Sequence, residues 1–461
     1  MFDKSIYQSR RQQLRTQVGH GLILLLGNED SSMNYKDNLY HFRQDSSFLY
    51  FFGLDRPGLV GIIDIDNNKE IIFGNELTLD EIVWMGPQPS LVDMAATVGV
   101  TTVEPSSAVG AFLISTGAKG QPIHYLPPYR PENILKLSSW LNISPAATKK
   151  EYSISLVKAI VAQRSIKSPE EIREIEAAVD ITAAMHLAAI KGAREGMSEA
   201  QLAGVLQGIA VSAGGNLSFP IILTVNGQVL HNHFGNTVMR AGQMVLCDSG
   251  AENGMHYAGD MTRTFPVSSK FTTLQKEMYQ VVLSAQEAAI AALRPGVLFR
   301  DVHFLACEKL VEGMKAVGVM KGDTKEAVAA GAHTMVFQCG LGHMMGLDVH
   351  DMEDLGEEYV GYTDELKKSK EFGLKSLRLG RALEPGFVVT IEPGLYFIPE
   401  LMDLRRSEKK FGAFVNYDKL DTFRQFGGIR IEEDLLITEN GSRLLGKPLA
   451  KTADEMEALR G

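Results

Sequence analysis

Four carboxylates stand at the ends of strand-like runs in the C-terminal half of this chain, and they limit what it can fold into. Asp248 closes the apolar run 244–247 and Asp260 opens the run 261–265; Glu392 follows the largely apolar run 387–391, just before Pro393-Gly394, and Glu432 belongs to Ile429-Arg430-Ile431-Glu432. An acid at the end of a central strand is costly to bury without a partner. Residues 249–254 supply turn formers, so the spacing predicts a hairpin with Asp248 and Asp260 close together. Two adjacent carboxylates repel unless a cation lies between them. A period of two puts Arg430 and Glu432 on one face and the isoleucines on the other. Ordinary readings exist for each residue alone: an Asp commonly ends a strand, Arg430 and Glu432 can form a buried ion pair, and a His in a Gly-rich turn, such as His343, is often structural. Taken together, two Asp, two Glu and one His within one domain suffice for two cations sharing bridging carboxylates. Such an oxygen-rich set with one imidazole suits Mn²⁺ or a similar first-row ion. Spacing leaves open whether the five converge.

A length of 461 residues predicts two or three domains. The first 150 residues alternate short β-like runs (21–26, 59–65, 70–73) with helical pieces such as 5–18, the pattern of an α/β domain. The texture changes near Arg164. Ser168-Pro169-Glu170-Glu171 is a capping box with Pro at the first helical position, opening a helix that runs to about Ala193. Ser198 with Gln201, and Thr272 with Gln275, open two more. Strand-like runs at 220–225, 244–247, 262–267, 387–391 and 428–438 fill the spaces between helices, so the second domain reads as α+β with an antiparallel sheet. The boundary falls within 155–167. Residues 353–382 are highly charged and read mostly as a solvated insertion.

Composition narrows the function classes. The net charge of −10 offers no nucleic-acid surface. The longest aliphatic run, 22–26, is too short to span a bilayer, and the polar start lacks the apolar core of a secretory signal. Cys247, Cys307 and Cys339 are widely spaced and read as reduced thiols of a cytoplasmic protein. HExxH, GxxxxGK[ST], CxxC and GxSxG motifs are absent. Gly340-x-Gly342-x-x-x-Gly346 imitates a dinucleotide loop, but no strand or ribose-binding acid follows in the expected place.

Four ordered runs carry a resemblance. They are Asp248…Asp260-Met-Thr-Arg-Thr-Phe-Pro, Gly340-Leu-Gly-His343-Met-Met-Gly-Leu-Asp-Val-His350-Asp, Thr390-Ile-Glu392-Pro-Gly-Leu-Tyr396 and Gly428-Ile-Arg430-Ile-Glu432-Glu-Asp. They closely resemble the pita-bread metallopeptidases and, more narrowly, the Xaa-Pro branch of aminopeptidase P and prolidase. Phe48-Leu-Tyr50-Phe-Phe-Gly-Leu is similar to that branch's amino-terminal domain, so the likeness covers nearly the whole chain. It implies an α/β N-terminal domain over 1–160 and an α+β pita-bread catalytic domain with a curved antiparallel sheet over 161–461. It implies two divalent metal ions, Mn²⁺ before others, and hydrolysis of the bond before proline by a metal-bridged hydroxide.

By the same resemblance each residue acquires a role. Asp248 chelates one metal, Asp260 and Glu432 bridge both, and His343 and Glu392 complete the other ion's shell, with Glu392 as proton shuttle. His231 and His350 match the substrate-side histidines, His233 competing with His231. Arg430 pairs with site carboxylates. Arg378 matches a prolidase arginine that binds the C-terminal carboxylate of a dipeptide; otherwise it is an exposed Arg of a basic helix. Two departures from the family pattern are Cys339, where His is common, and a loop between Asp248 and Asp260 one residue longer than usual. The implied partner is a small peptide with proline at its second position, without nucleic acid or membrane, and the implied assembly is a homodimer or homotetramer. The rival readings are a catalytically altered or non-catalytic pita-bread binding module and, among enzymes, methionine aminopeptidase, which needs neither the long N-terminal domain nor the Arg378 segment.

Overall fold

The computed structural model describes residues 1–461. The chain divides into two compact units, the first formed by Met1–Arg164 with Met352–Tyr359 and the second by Ser165–Asp351 with Val360–Gly461.

The first unit is built on one mixed five-stranded sheet. Helix α1 (Lys4–Val18) leads into β1 (Leu22–Leu26), an all-aliphatic strand buried along most of its length, as a central strand covered on both faces must be. Helix α2 (Ser46–Phe52) follows, then β2 (Val60–Asp64), β3 (Lys69–Phe73), β4 (Thr102–Glu104) and β5 (Ile123–Tyr125), in the spatial order β4-β3-β2-β1-β5. Every residue of α2 is buried. The Asp45 side chain caps its start, and Arg10 and Arg11 donate to the Tyr50 and Phe51 carbonyls at its end, 3.0 and 2.8 Å away. These bonds satisfy carbonyls that a helix terminus leaves orphaned, in a place water does not reach. Helix and sheet meet at Gly61, where a Cβ would stand 2.1 Å from the Phe52 ring. Leu22, Leu24, Ile62, Phe73 and Leu113 form the core on one side of the sheet.

The second unit packs long helices against short antiparallel ladders. All three sequence-predicted capping boxes close: Ser168 with Glu171 at α3 (Pro169–Gly192), Ser198 with Gln201 at α4 (Glu199–Ser212), and Thr272 with Gln275 at a helix introduced below. Strands β6 (Ile222–Thr224), β7 (Met244–Ser249) and β8 (Met261–Pro266) form one ladder with β7 in the middle. Helices α5 (Thr273–Ala292) and α6 (Phe299–Ala316) follow and pack against each other. Strands β9 (Val388–Ile391), β10 (Gly394–Tyr396), β11 (Gly428–Arg430), β12 (Glu433–Thr438) and β13 (Gly441–Leu444) complete the unit. Met185, Leu206, Val245, Phe265, Leu283 and Leu310 belong to one continuous core that joins these helices to the ladder.

The structure refines three expectations. The single run 428–438 is two strands with different partners: β11 pairs with β10, and β12 pairs with β9. The connection between Asp248 and Asp260 is more than a tight turn. Ala251–Glu252 pairs with Asn216–Leu217, and His256 takes φ 66° with its Nδ1 2.6 Å from Glu252 Oε1. The charged segment 353–382 is solvated at Glu353, Asp354 and Glu358 and through much of 363–372, but not throughout. Val360, Tyr362, Leu377 and Leu379 are buried.

Lys167 Nζ lies 2.7 Å from Asp351 Oδ2 with both side chains 1% exposed. Removing one member of such a buried pair is strongly destabilising. Asp351→Leu is therefore expected to destabilise the protein by about 3–5 kcal/mol in urea unfolding, and Lys167→Met added to it to recover most of that loss.

Candidate active site

The pairing of β7 with β8 sets the first two acids. Asp248 lies opposite Thr262 in the ladder, and Asp260 directly precedes β8, so period two puts all three on one face. Glu432 arrives through the break between β11 and β12. Its N–H donates to the Thr262 carbonyl at 3.1 Å and its carbonyl accepts from Arg263 Nη1 at 2.7 Å, so leaving the ladder costs Glu432 neither backbone bond. Arg263 is itself fully buried and pairs with Glu433 at 2.5 Å. Thr262 Oγ1 donates to Glu432 Oε2 at 2.7 Å.

His343 reaches the site because residues 341–345 run along the edge of β9. Thr390 N donates to the His343 carbonyl at 3.0 Å, and Glu392 N to the Leu341 carbonyl at 2.8 Å. Gly342 makes this approach possible, since a Cβ there would lie 2.0 Å from the Thr390 carbonyl oxygen. Of the glycines that imitate a dinucleotide loop, Gly342 thus serves backbone contact with a strand, while Gly340 makes room for the backbone of 376–377 and Gly346 for the Asp351 and Lys167 side chains. His343 Nδ1 lies 3.0 Å from the Met344 carbonyl, which makes it the donor nitrogen and leaves the Nε2 lone pair facing inward. Nε2 stands 3.3 Å from Asp260 Oδ2 and 3.5 Å from Glu392 Oε1. Thr390 Oγ1 holds the same Glu392 oxygen at 3.2 Å.

Arg430 organises the opposite side. Its Nη2 donates to Asp248 Oδ2 at 2.5 Å, its Nη1 to the Tyr396 hydroxyl at 2.8 Å and its Nε to Thr262 Oγ1 at 3.2 Å. The structure therefore brings Asp248, Asp260, His343, Glu392, Glu432 and Arg430 together. Asp248, Asp260, His343, Glu432 and Arg430 are buried, and Glu392 is partly open.

This donor set fits divalent cations. One acceptor atom each from Asp260, His343 and Glu432 lie within 4.8 Å of one another. Asp248 Oδ1 and Asp260 Oδ1 are buried with no hydrogen-bond partner, a costly state for a carboxylate oxygen unless a cation faces it. The Asp248–Arg430 pair and the His343–carbonyl contact fix the orientation of two of these donors, as outer contacts do in metal sites. In the protein alone, burial followed by Asp248 pushes Asp260 well above its ordinary range, burial followed by Asp260 does the same to Glu432, and burial raises Glu392.

The remaining expected residues line the same cavity: His231, His233, His350 and Arg378, with Cys339. The His350 ring is 4.3 Å from that of His343 in a T-shaped arrangement. His233 Nδ1 lies 3.3 Å from the Ile221 carbonyl, whereas burial, then Arg430, lowers the His231 pKa and Arg378 and His350 also act on it. Arg378 is half-buried in an irregular segment after the turn Leu374–Ser376, so the exposed basic helix considered for it does not form. Burial, with Glu392 adding, pushes the Cys339 thiol up to about 12, and it stays protonated. Thr262, Thr390 and Arg263 were not anticipated. Their only sequence signal is strand alternation beside a ligand, which does not separate a positioning residue from filler.

The raised carboxyls give the metal-free protein a definite pH dependence. Protons bound to folded Asp260 and Glu432 above their ordinary values, 3.8 and 4.5, stabilise the fold at low pH, and that contribution is lost as pH rises through the raised values. Chelator-treated protein should lose stability in urea between about pH 4 and neutrality, and Mn²⁺ should restore it at neutral pH. Asp260→Asn with Glu432→Gln should flatten that slope and abolish the Mn²⁺ effect. A slope unchanged by the double substitution would contradict the assignment.

Residues 7–124 match the aminopeptidase P N-terminal domain and residues 173–439 match metallopeptidase family M24. The chain is 31% identical to human Xaa-Pro dipeptidase over 97% of its own length and 90% of the relative's. It is also 31% identical to the Xaa-Pro aminopeptidase of Escherichia coli K12, covering 98% of this chain and 97% of that one. A zinc-substituted E. coli aminopeptidase P in complex with product superposes with a TM-score of 0.82 at 30% identity, covering 100% of this chain and 98% of the other. With residues 173–439 matched to its family model and residues 7–124 to the aminopeptidase P N-terminal domain, this protein belongs to metallopeptidase family M24.

Proposed function

We propose that this protein is a dinuclear metallopeptidase that hydrolyses the Xaa-Pro bond, with Xaa-Pro dipeptides as its substrates. The observation that carries the reading is the convergence of Asp248, Asp260, His343, Glu392 and Glu432 around buried acceptor atoms that lack proton donors. Relatives named Xaa-Pro dipeptidase and Xaa-Pro aminopeptidase, each 31% identical over nearly the whole chain, support the substrate class.

In this reading Asp248, Asp260, His343, Glu392 and Glu432 would together hold two divalent cations, with Asp260 and Glu432 the candidates to be shared between them. Two Mn²⁺ ions would supply an activated water and polarise the scissile carbonyl. Glu392, partly open to the cavity, takes the proton of the attacking water and passes it to the leaving proline nitrogen. His231 and His350 donate to the scissile carbonyl oxygen as its charge grows. Arg430 keeps Asp248 oriented through the 2.5 Å bond. Phe219, Pro220, Ile222 and Leu230 supply apolar wall for the imino ring. Arg378, in the same cavity, pairs with the carboxylate of the proline product half, which sets the dipeptide limit. Cytoplasmic location and association into a homodimer or homotetramer belong to the same reading. The helix Leu79–Met85, which exposes Leu79, Val83 and Trp84, offers an apolar face for such association.

The test uses chelator-stripped protein reconstituted with Mn²⁺ and offered an Xaa-Pro dipeptide and an Xaa-Pro-Xaa tripeptide side by side, with Asp260→Ala as the blank. Metal-dependent cleavage of the dipeptide alone is expected. Arg378→Gln should lower kcat/KM for the dipeptide by about 10- to 100-fold, the scale of a charge-assisted hydrogen bond, mainly through KM. Efficient cleavage of the tripeptide would make this an aminopeptidase and leave Arg378 without the clamp role. Cleavage of neither, with metal bound, would overturn the peptidase reading in favour of a binding module.

A further inference from the structure

A second cluster of metal-ligating side chains lies outside the carboxylate site. His303 and Cys307 stand one turn apart on α6 and so share a face of that helix. His333 comes from the short turn Ala332–Met335, entered through Gly331 at φ 78°. One ligand atom from each of the three lies within 4.8 Å of the other two, and Cys307 Sγ is 3.5 Å from His303 Nε2. The three are 1%, 0% and 2% exposed, for His303, Cys307 and His333 respectively. His303 also packs beside Phe304 and Phe337, with ring centroids 5.5 and 5.7 Å away.

Polar satisfaction here is incomplete. His303 Nδ1 and both ring nitrogens of His333 have no hydrogen-bond partner; the Val328 carbonyl acts on His333 without closing a bond. A buried nitrogen left in this state is costly, and an apolar side chain of similar shape would avoid that cost. A thiol-to-imidazole contact accounts for Cys307 and one nitrogen of His303, but it leaves His333 unexplained. Nothing in the proposed Xaa-Pro hydrolysis uses these residues.

We propose that His303, Cys307 and His333 form a binding site for a soft monovalent cation, Cu(I), separate from the carboxylate-rich centre. Two imidazoles and one thiol contain no hard oxygen donor, which disfavours Mn²⁺, Mg²⁺ and Ca²⁺. The choice between Cu(I) and Zn²⁺ follows from charge and coordination number. Cu(I) displaces the thiol proton, which leaves to solvent, and the resulting N₂S complex is neutral overall. Zn²⁺ bound the same way would keep one positive charge in an apolar interior and would lack its fourth ligand. Burial pushes His303 down to about 3 and His333 to about 4, so both rings are neutral and keep their lone pairs. Occupancy would pin the turn at 332–335 to α6, immediately before residue 336, whose carbonyl accepts from Tyr396 N at 2.7 Å.

Mn²⁺-loaded protein titrated anaerobically with Cu(I) against bicinchoninate tests this. The expected result is one Cu(I) per chain retained against the chelator, release of one proton, and a raised unfolding midpoint. Cys307→Ser and His333→Phe should each weaken retention by at least about tenfold, the scale of disrupting one metal contact. Cys247→Ala and Cys339→Ala should leave it intact. Far-UV circular dichroism and the copper-free unfolding midpoint verify that the substituted chains are folded, and whichever of the two variants folds carries the test. No retention by the unsubstituted chain, retention that survives Cys307→Ser, retention that follows Cys339, or capture of Zn²⁺ in place of Cu(I) would each overturn the proposal.

Discussion

Carboxylates gathered in an interior that largely excludes water repel one another, and much of the second unit arranges itself around that repulsion. Asp248, Asp260 and Glu432 are buried within reach of each other, with Glu392 at their edge. Arg430 is the guanidinium bonded to a carboxylate of this group, and it offsets a single charge through Asp248. Its other donors go to Tyr396, Thr262 and the Leu230 carbonyl, so its position is over-determined. What is left is an excess of acceptors facing one another: His343 Nε2 against Asp260 and Glu392, and two orphaned aspartate oxygens. A folded protein can keep such a set either by holding protons on it or by binding cations. The outer contacts, His343 to the Met344 carbonyl and Thr262 to Glu432, aim lone pairs inward and favour the cations.

The sheet pays for this arrangement with interruptions, and each has a local remedy. The segment 428–438 changes partners at residues 431–432, and Arg263 and Thr262 take over the backbone bonds of Glu432. The segment 341–345 pairs with β9 without forming a full strand, which Gly342 allows. Broken ladders of this kind let side chains from four separate segments point at one volume, which an unbroken flat sheet would spread along its face.

Legibility in the sequence followed the range of the interactions involved. The three capping boxes at Ser168, Ser198 and Thr272 each need residues three apart, and all three close as read. The acids were visible because a charge at the end of an apolar run is improbable without a purpose. That they meet was not visible from spacing, since Glu432 and Asp260 are far apart in sequence and their contact depends on the break before β12. Resemblance of the four motifs to pita-bread metallopeptidases supplied it, and the match to family M24 stands with it. Arg263, Thr262 and Thr390 escaped notice because a positioning residue differs from an ordinary strand residue only through its distant partner. The choice between His231 and His233 gained a geometric handle from the bond of His233 to the Ile221 carbonyl. The His303–Cys307–His333 cluster illustrates the same limit, since its i,i+4 half is local and its third member is not.

The central claim is that the buried acids and His343 are a dinuclear centre. Crystals grown with Mn²⁺ and measured on both sides of the manganese absorption edge address it directly. The account predicts two anomalous peaks about 3.5–4 Å apart, with Asp260 and Glu432 touching both, Asp248 on one, and His343 and Glu392 on the other. A single peak, or none among these five side chains, would contradict it.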